Sequence, residues 1–171
     1  TNWIVNGDFE SNSVVEGSWG LFSSIPGWQA ADAVKFEVQE FSGLSGTAPG
    51  DAVVELDGIA NSTIQQVVDL AETGTYRLSV DYALRPGTAP ETNGLEVLVD
   101  NVVIATLEPT TPGAQTFAAD VSLDAGDHTI AFRGIGTSDG LGTLIDNVAL
   151  NQVGAGNPAP IALDDVATTD Q

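Results

Sequence analysis

A chain of 171 residues, 42% of them hydrophobic, is long enough for one well-packed core and short for two full domains. Its formal charge of -20 sets 24 acids against only Lys35, Arg77, Arg85 and Arg133, a surface that repels nucleic acid and anionic membranes. Cysteine is absent and His128 is the single histidine, which excludes a disulfide framework and argues against a zinc or copper centre.

In chain order, TNWIVNGDFE opens with apolar Trp3, Ile4 and Val5, turns at Asn6-Gly7 and places Phe9 as a core anchor between Asp8 and Glu10. The stretch SNSVVEGSWGLFSSIPGWQAADAV reads as mostly irregular, an aromatic-bearing loop that carries Trp19, Phe22 and Trp28. KFEVQEF alternates, with Phe36, Val38 and Glu40 on one side and Lys35, Glu37, Gln39 and Phe41 on the other. SGLSGTAPG is a flexible connection.

Residues 51–87 organise the chain: AVVELDG, STIQQVVDL and TYRLSVDYAL are separated by Asp57-Gly58 and Thr73-Gly74, and are expected to be consecutive antiparallel strands. In the third, Tyr76, Leu78, Val80 and Tyr82 form an apolar face, and Arg77, Ser79, Asp81 and Ala83 face water or a ligand. A helix over STIQQVVDLAET competes: Ser62 and Gln65 have capping-box spacing, and Ile64, Val67, Val68 and Ala71 fall on one stripe. The β-branched run Thr63, Ile64, Val67 and Val68 between glycines favours a strand.

LEVLVDNVVIATLEP reads as a hairpin turning at Asp100-Asn101. TFAADVSLDAG, HTIAFRGIG and TLIDNVALNQV complete the strands, and the Ser138-Asp139-Gly140 connection admits a second cation but is read as an ordinary turn. Short strands punctuated by Gly, Pro, Asn and Asp predict an all-β, antiparallel β-sandwich of jelly-roll form over residues 1–152. Residues 153–171 turn to Gly, Pro and small acidic residues, which reads as a linker into a following repeat domain. No signal peptide or transmembrane run is visible, and the abrupt strand-like start at Thr1 suggests a piece of a longer polypeptide.

Three stretches, Val5-Asn6-Gly7-Asp8-Phe9-Glu10, Gly74-Thr75-Tyr76-Arg77-Leu78-Ser79-Val80 and Leu144-Ile145-Asp146-Asn147-Val148-Ala149-Leu150, together resemble the calcium-binding, galactose-binding-like jelly rolls of carbohydrate-binding modules. Ile25-Pro26-Gly27-Trp28, Phe36-Glu37-Val38-Gln39 and Val54-Glu55-Leu56-Asp57-Gly58 are similar to DUF642-like domains of secreted bacterial proteins. Pro160-Ile161-Ala162-Leu163-Asp164-Asp165-Val166 looks like the entry to a cadherin-like or Ig-like repeat of RTX-type surface proteins. The resemblance implies a structural Ca2+ between the first and last strands, with Glu10 and Asp146 giving side-chain oxygens, Asp8 a further oxygen, and Asp57 a weaker candidate that also suits an ordinary turn.

Catalysis is not expected: His128 lies beside a turn without a GxSxG element, and acids on a strand face such as Glu37 and Glu55 serve solubility or hydroxyl recognition as readily as acid–base work. Sugar recognition wants an exposed aromatic beside acids, amides and an arginine. Trp19, Trp28, Glu37, Gln39 and Arg85 are the candidates; Trp28 serves equally as a buried cap, and Arg85 equally as an acid's partner. The expectation is a non-catalytic carbohydrate-binding module with structural calcium in a large exported, extracellular or cell-surface bacterial adhesin or polysaccharide-processing enzyme. Its partners would be a glycan and neighbouring domains of the same chain, without nucleic acid or membrane insertion. A calcium-stabilised spacer or protein-interaction domain is the alternative.

Overall fold

The computed structural model describes residues 1–46 and 50–156. The strands are β1 (Trp19–Phe22), β2 (Ser24–Ile25), β3 (Trp28–Ala30), β4 (Phe36–Gln39), β5 (Val53–Glu55), β6 (Thr63–Leu70), β7 (Gly74–Ala83), β8 (Leu95–Val99), β9 (Val102–Leu107), β10 (Ala114–Leu123), β11 (Gly126–Gly134) and β12 (Leu144–Ala155). They form two six-stranded antiparallel sheets, ordered β1-β4-β5-β12-β7-β10 and β2-β3-β6-β11-β8-β9. The fold is the expected all-β antiparallel sandwich of jelly-roll type. Among the described residues no helix is long and apolar enough to cross a membrane.

Alternation decides which side chains meet between the sheets. The first sheet sends in Phe36, Val38, Val54, Tyr76, Leu78, Val80 and Ile145; the second sends in Trp28, Ile64, Val68, Val97, Ile130 and Phe132. Phe9 is fully buried among them, as its position between two acids predicted. The strand reading of residues 63–70 holds, because the core takes Ile64, Gln66, Val68 and Leu70 at period two and leaves Val67, which the helical stripe would bury, 53% exposed. The hairpin at Asp100-Asn101 forms with both residues at positive φ, the backbone that a two-residue turn between twisted strands requires.

Two expectations change. The strands of residues 51–87 are consecutive in sequence but not neighbours: β5 and β7 lie in one sheet on either side of β12, and β6 lies in the other. Residues 11–34 are mostly irregular, as expected, and within them the short strands β1, β2 and β3 lie at or next to the sheet edges. Residues 1–10 contribute only a bridge from Asn2 to Asn151, and Gln66 fastens this segment by exchanging hydrogen bonds with the Val5 backbone at 2.8 and 2.9 Å. Strand β12 runs to Ala155, three residues past the expected domain boundary; the cadherin-like or Ig-like tail reading lies outside the described residues.

Candidate functional site

Because Phe36 and Val38 occupy the core, Glu37 and Gln39 of β4 must point to the outer face of their sheet. Trp19 pairs with Gln39, Leu21 with Glu37, Glu37 with Glu55, and Glu55 with Leu144, and directly opposed residues of antiparallel strands share a face. The outer face thus carries a run from Trp19 on the edge strand to Glu55 at the sheet centre. Trp19 remains 56% exposed, whereas Glu37, Gln39 and Glu55 are buried. What covers them is the chain after β4, where Leu44 packs on Val53, Ala83 and Leu144.

Arg85, just beyond β7, completes the group. Its Nη1 donates to both Glu55 carboxylate oxygens at 2.6 Å, and the Gly142 N–H donates to Glu55 Oε1 at 2.8 Å. Gln39 Nε2 donates to Glu37 Oε1 at 2.8 Å and also to Glu55 Oε2. Burial and then repulsion from Glu37 push the Glu55 carboxyl up to about 8, against the pull of Arg85 and Gly142. Glu37 is also raised by burial, opposed by the Gln39 hydrogen bond and by Arg85. A recess of about 290 Å3 opens beside this network, lined by Gln39, Phe41, Ser42, Gly46, Arg85 and Pro86. It is close to the lower end of the range of small-molecule sites, about 300–1,000 Å3.

A second group of acids gathers where the N-terminal segment meets β12. Asp146 is 3% exposed, and burial pushes its carboxyl up to about 8, opposed by the Asn147 N–H and reinforced by Asp51, Glu10 and Asp8. Glu10 is raised by burial and by Glu40, Asp51 and Asp8, while accepting a 2.8 Å hydrogen bond from the Ala52 N–H. Three of the sequence candidates for calcium, Asp8, Glu10 and Asp146, are therefore electrostatic neighbours, joined by Asp51 and Glu40. Among the described residues no three His, Cys, Asp or Glu side chains are already drawn into a ligand shell. The donor set nevertheless suits a hard cation, because a buried carboxyl surrounded by acids lacks any side-chain countercharge.

Two candidates are placed elsewhere. Trp28 is 2% exposed, stacked obliquely between Phe9 at 5.4 Å and Phe132 at 6.2 Å, with its indole N–H on the Asn6 carbonyl at 2.8 Å. It is a core residue and not a platform, since a fully packed indole has no face left for a ligand. Asp57 is buried and accepts the backbone N–H groups of Asp139 and Gly140 at 3.0 and 3.2 Å, so its carboxylate shapes the β11–β12 loop. Burial and the neighbouring Asp139 raise its carboxyl, against those two hydrogen bonds.

His128, beside the β10–β11 turn, is half-buried, with its side chain 13% exposed. Its Nδ1 lies 2.7 Å from Asp100 Oδ2 and its Nε2 lies 2.8 Å from the Asp124 carbonyl. Two acceptors on two ring nitrogens call for the imidazolium. Burial opposes this, yet the Asp100 carboxylate and Asp124 hold the pKa above the ordinary histidine value.

Asp51 and Glu40 escaped the sequence reading because neither sits in a motif; the usable signal was an acid immediately before a buried strand and one at the inward register of β4. Glu55 was visible as a strand acid, but its pairing with Arg85 depends on a contact thirty positions apart.

No family model matches the chain. It is similar to the multifunctional-autoprocessing repeats-in-toxin protein of Vibrio vulnificus, 32% identical over 149 residues, which is 86% of this chain; it spans about 3% of that relative's length. Among solved structures it resembles a Stig cyclase, Fisc, of Fischerella sp. TAU in an indole-ligand complex, at TM-score 0.63 and 18% identity over 91% of this chain and 99% of the other. It also resembles a family 35 carbohydrate binding module of Clostridium thermocellum, at TM-score 0.52 and 16% identity over 78% and 97%. At such identities these structures show the fold, a jelly-roll sandwich of the kind used by carbohydrate-binding modules.

Proposed function

We propose that this chain is a non-catalytic glycan-binding module, stabilised by calcium and carried within a large exported bacterial protein. The observation that supports it best is the outer sheet face, where the exposed Trp19 pairs across β1 and β4 with Gln39, which borders the recess together with Arg85. An aromatic face takes the C–H side of a pyranose, and fixed amide and guanidinium groups read its hydroxyls. The Glu37–Glu55 network holds those polar groups still, so little side-chain entropy is lost on binding. Similarity to a small part of a very long toxin supports a module among many, and export is an inference from that company.

Calcium would be held by Asp8, Glu10, Asp51 and Asp146, where it would supply the positive charge that the buried carboxyls lack. Tying the N-terminal segment to β5 and β12 would fix the sheet that carries the recess.

Glu37 and Glu55 are also the kind of pair that acid–base chemistry employs. Glu55, however, is fully buried, with its oxygens engaged by Arg85, Gln39 and Gly142, so the pair serves as a scaffold beneath the recess. The test is glycan-array binding in calcium and again in EDTA, with melting followed alongside. Retention of a defined glycan set supports the module; calcium-raised melting without any glycan retained leaves the spacer reading in its place.

A further inference from the structure

The β11–β12 loop contains an oxygen cluster that hydrogen bonding alone does not account for. The Thr92 hydroxyl, at the end of the Pro90–Thr92 3-10 turn, lies 3.1 Å from the Thr137 carbonyl and 2.5 Å from Asp139 Oδ1, and it also contacts the Leu141 carbonyl. A hydroxyl has one proton to give. It satisfies one of the three acceptors; Asp139 Oδ1 also accepts the Leu141 N–H at 3.2 Å, and the Thr92 oxygen still meets lone pairs of the others. Thr92 is 5% exposed, so water does not freely relieve the crowding.

The surroundings are arranged to keep those oxygens together. Asp57 receives the N–H groups of Asp139 and Gly140, which aims the loop backbone from behind. Gly136 and Gly140 take positive φ, and a Cβ at Gly136 would lie 2.6 Å from the Glu91 carbonyl, so this close approach of loop and 3-10 turn needs glycine. Asn61, on the β5–β6 connection that packs against this loop, spends its amide N–H on the Gly136 carbonyl at 3.0 Å, while its Oδ1 is buried without a partner among the described residues.

We infer that this loop binds a calcium ion of its own, through the Asp139 carboxylate, the Thr92 hydroxyl and the main-chain carbonyls of Thr137 and Leu141. One carboxylate with neutral hydroxyl and carbonyl oxygens is a hard, all-oxygen donor set; it fits calcium and offers nothing to zinc or copper. Calcium completes six to eight ligands with water. Asp57 acts as the outer partner that orients the ligand-bearing backbone. The ion sits apart from the Asp8–Asp146 group, and it also steadies Gly142, whose N–H holds Glu55.

The experiment counts calcium on the full chain by native mass spectrometry and titration, in wild type, Asp146→Asn and Asp139→Asn. Wild type is expected to take two ions and each variant one. In Asp146→Asn, calcium should also slow hydrogen exchange at the Asp139, Gly140 and Leu141 amides, a readout that leaves the loop itself unaltered. If Asp146→Asn takes none, or Asp139→Asn takes as many as wild type, the loop site is refuted; an Asp139→Asn chain that fails to fold leaves the decision to Asp146→Asn. One ion in wild type, kept in Asp146→Asn and lost in Asp139→Asn, would uphold the loop site and refute the N-terminal one.

Discussion

Two groups of buried carboxyls lie on the same sheet and solve the same problem differently. Glu55 has an arginine, a glutamine amide and a main-chain N–H within hydrogen-bonding distance, so its charge is compensated from inside the chain. Asp146 has the Asn147 N–H and otherwise faces Asp51, Glu10 and Asp8. Both carboxyls are pushed up to about 8, yet only the second calls for a partner from solution. Similar burial therefore marks a self-contained scaffold in one place and, in the other, an acid cluster that we propose to be joined by an ion.

The sharpest way to break this contrast is at Arg85. Removing one member of a buried pair typically costs about 3–5 kcal/mol, because the remaining charge is stranded. Arg85→Ala should approach the lower part of that range in denaturant unfolding, since Glu55 escapes partly by taking a proton. Glu55→Gln should cost much less, because the Arg85 side chain is 23% exposed and can turn to water. Equal losses in the two variants would contradict the scaffold account.

The N-terminal group should respond to calcium and pH. An ion that binds only the folded state at a hundredfold above its Kd contributes about 2.7 kcal/mol, so melting should fall in EDTA, and fall less in Asp146→Asn by the share of the N-terminal ion. For an acid whose folded pKa lies above its unfolded value, the folded state binds the extra proton. In EDTA, stability should therefore fall as pH rises from about 4 towards 8, with a slope of up to about 1.4 kcal/mol per pH unit for each such group. Calcium should flatten the part due to Asp146 and leave that of Glu55. A slope identical in Asp146→Asn and wild type would separate this carboxyl from the effect.

A smaller effect belongs to His128, at the far end of the sandwich from Arg85. Its pKa is raised in the folded state, so its contribution is present in full below the ordinary histidine value and is lost as pH rises through the folded one. His128→Gln should remove roughly 1 kcal/mol at pH 5.5 and less at pH 8.5. An equal cost at both pH values would show that the imidazolium bridge contributes nothing.

Much of the architecture was legible because period-two alternation is a local property. Tyr76, Leu78, Val80 and Tyr82 point inward as their spacing demands, and Asp100-Asn101 turns as such a pair should. Sheet membership was not legible: β5, β6 and β7 look alike in sequence, and which sheet each joins depends on β12 and β11 far along the chain. The outer-face residues Trp19, Glu37, Gln39 and Arg85 were found as residue types suited to sugars, but only pairing across β1, β4 and β5 gathers them. Trp28 failed as a platform because a tryptophan after Pro-Gly looks the same in sequence whether it caps a core or greets solvent. Thr92 carried no signal at all, since its role depends on main-chain carbonyls supplied by a loop 45 and 49 positions away.

The most direct test of the proposed glycan-binding face is titration of array-selected oligosaccharide into wild type and Trp19→Ala in calcium. The indole is exposed, so its removal should leave the melting midpoint unchanged while weakening binding about tenfold, the loss expected when a stacking contact worth roughly 1.4 kcal/mol disappears. Undiminished affinity in Trp19→Ala would contradict the placement of the sugar on this face.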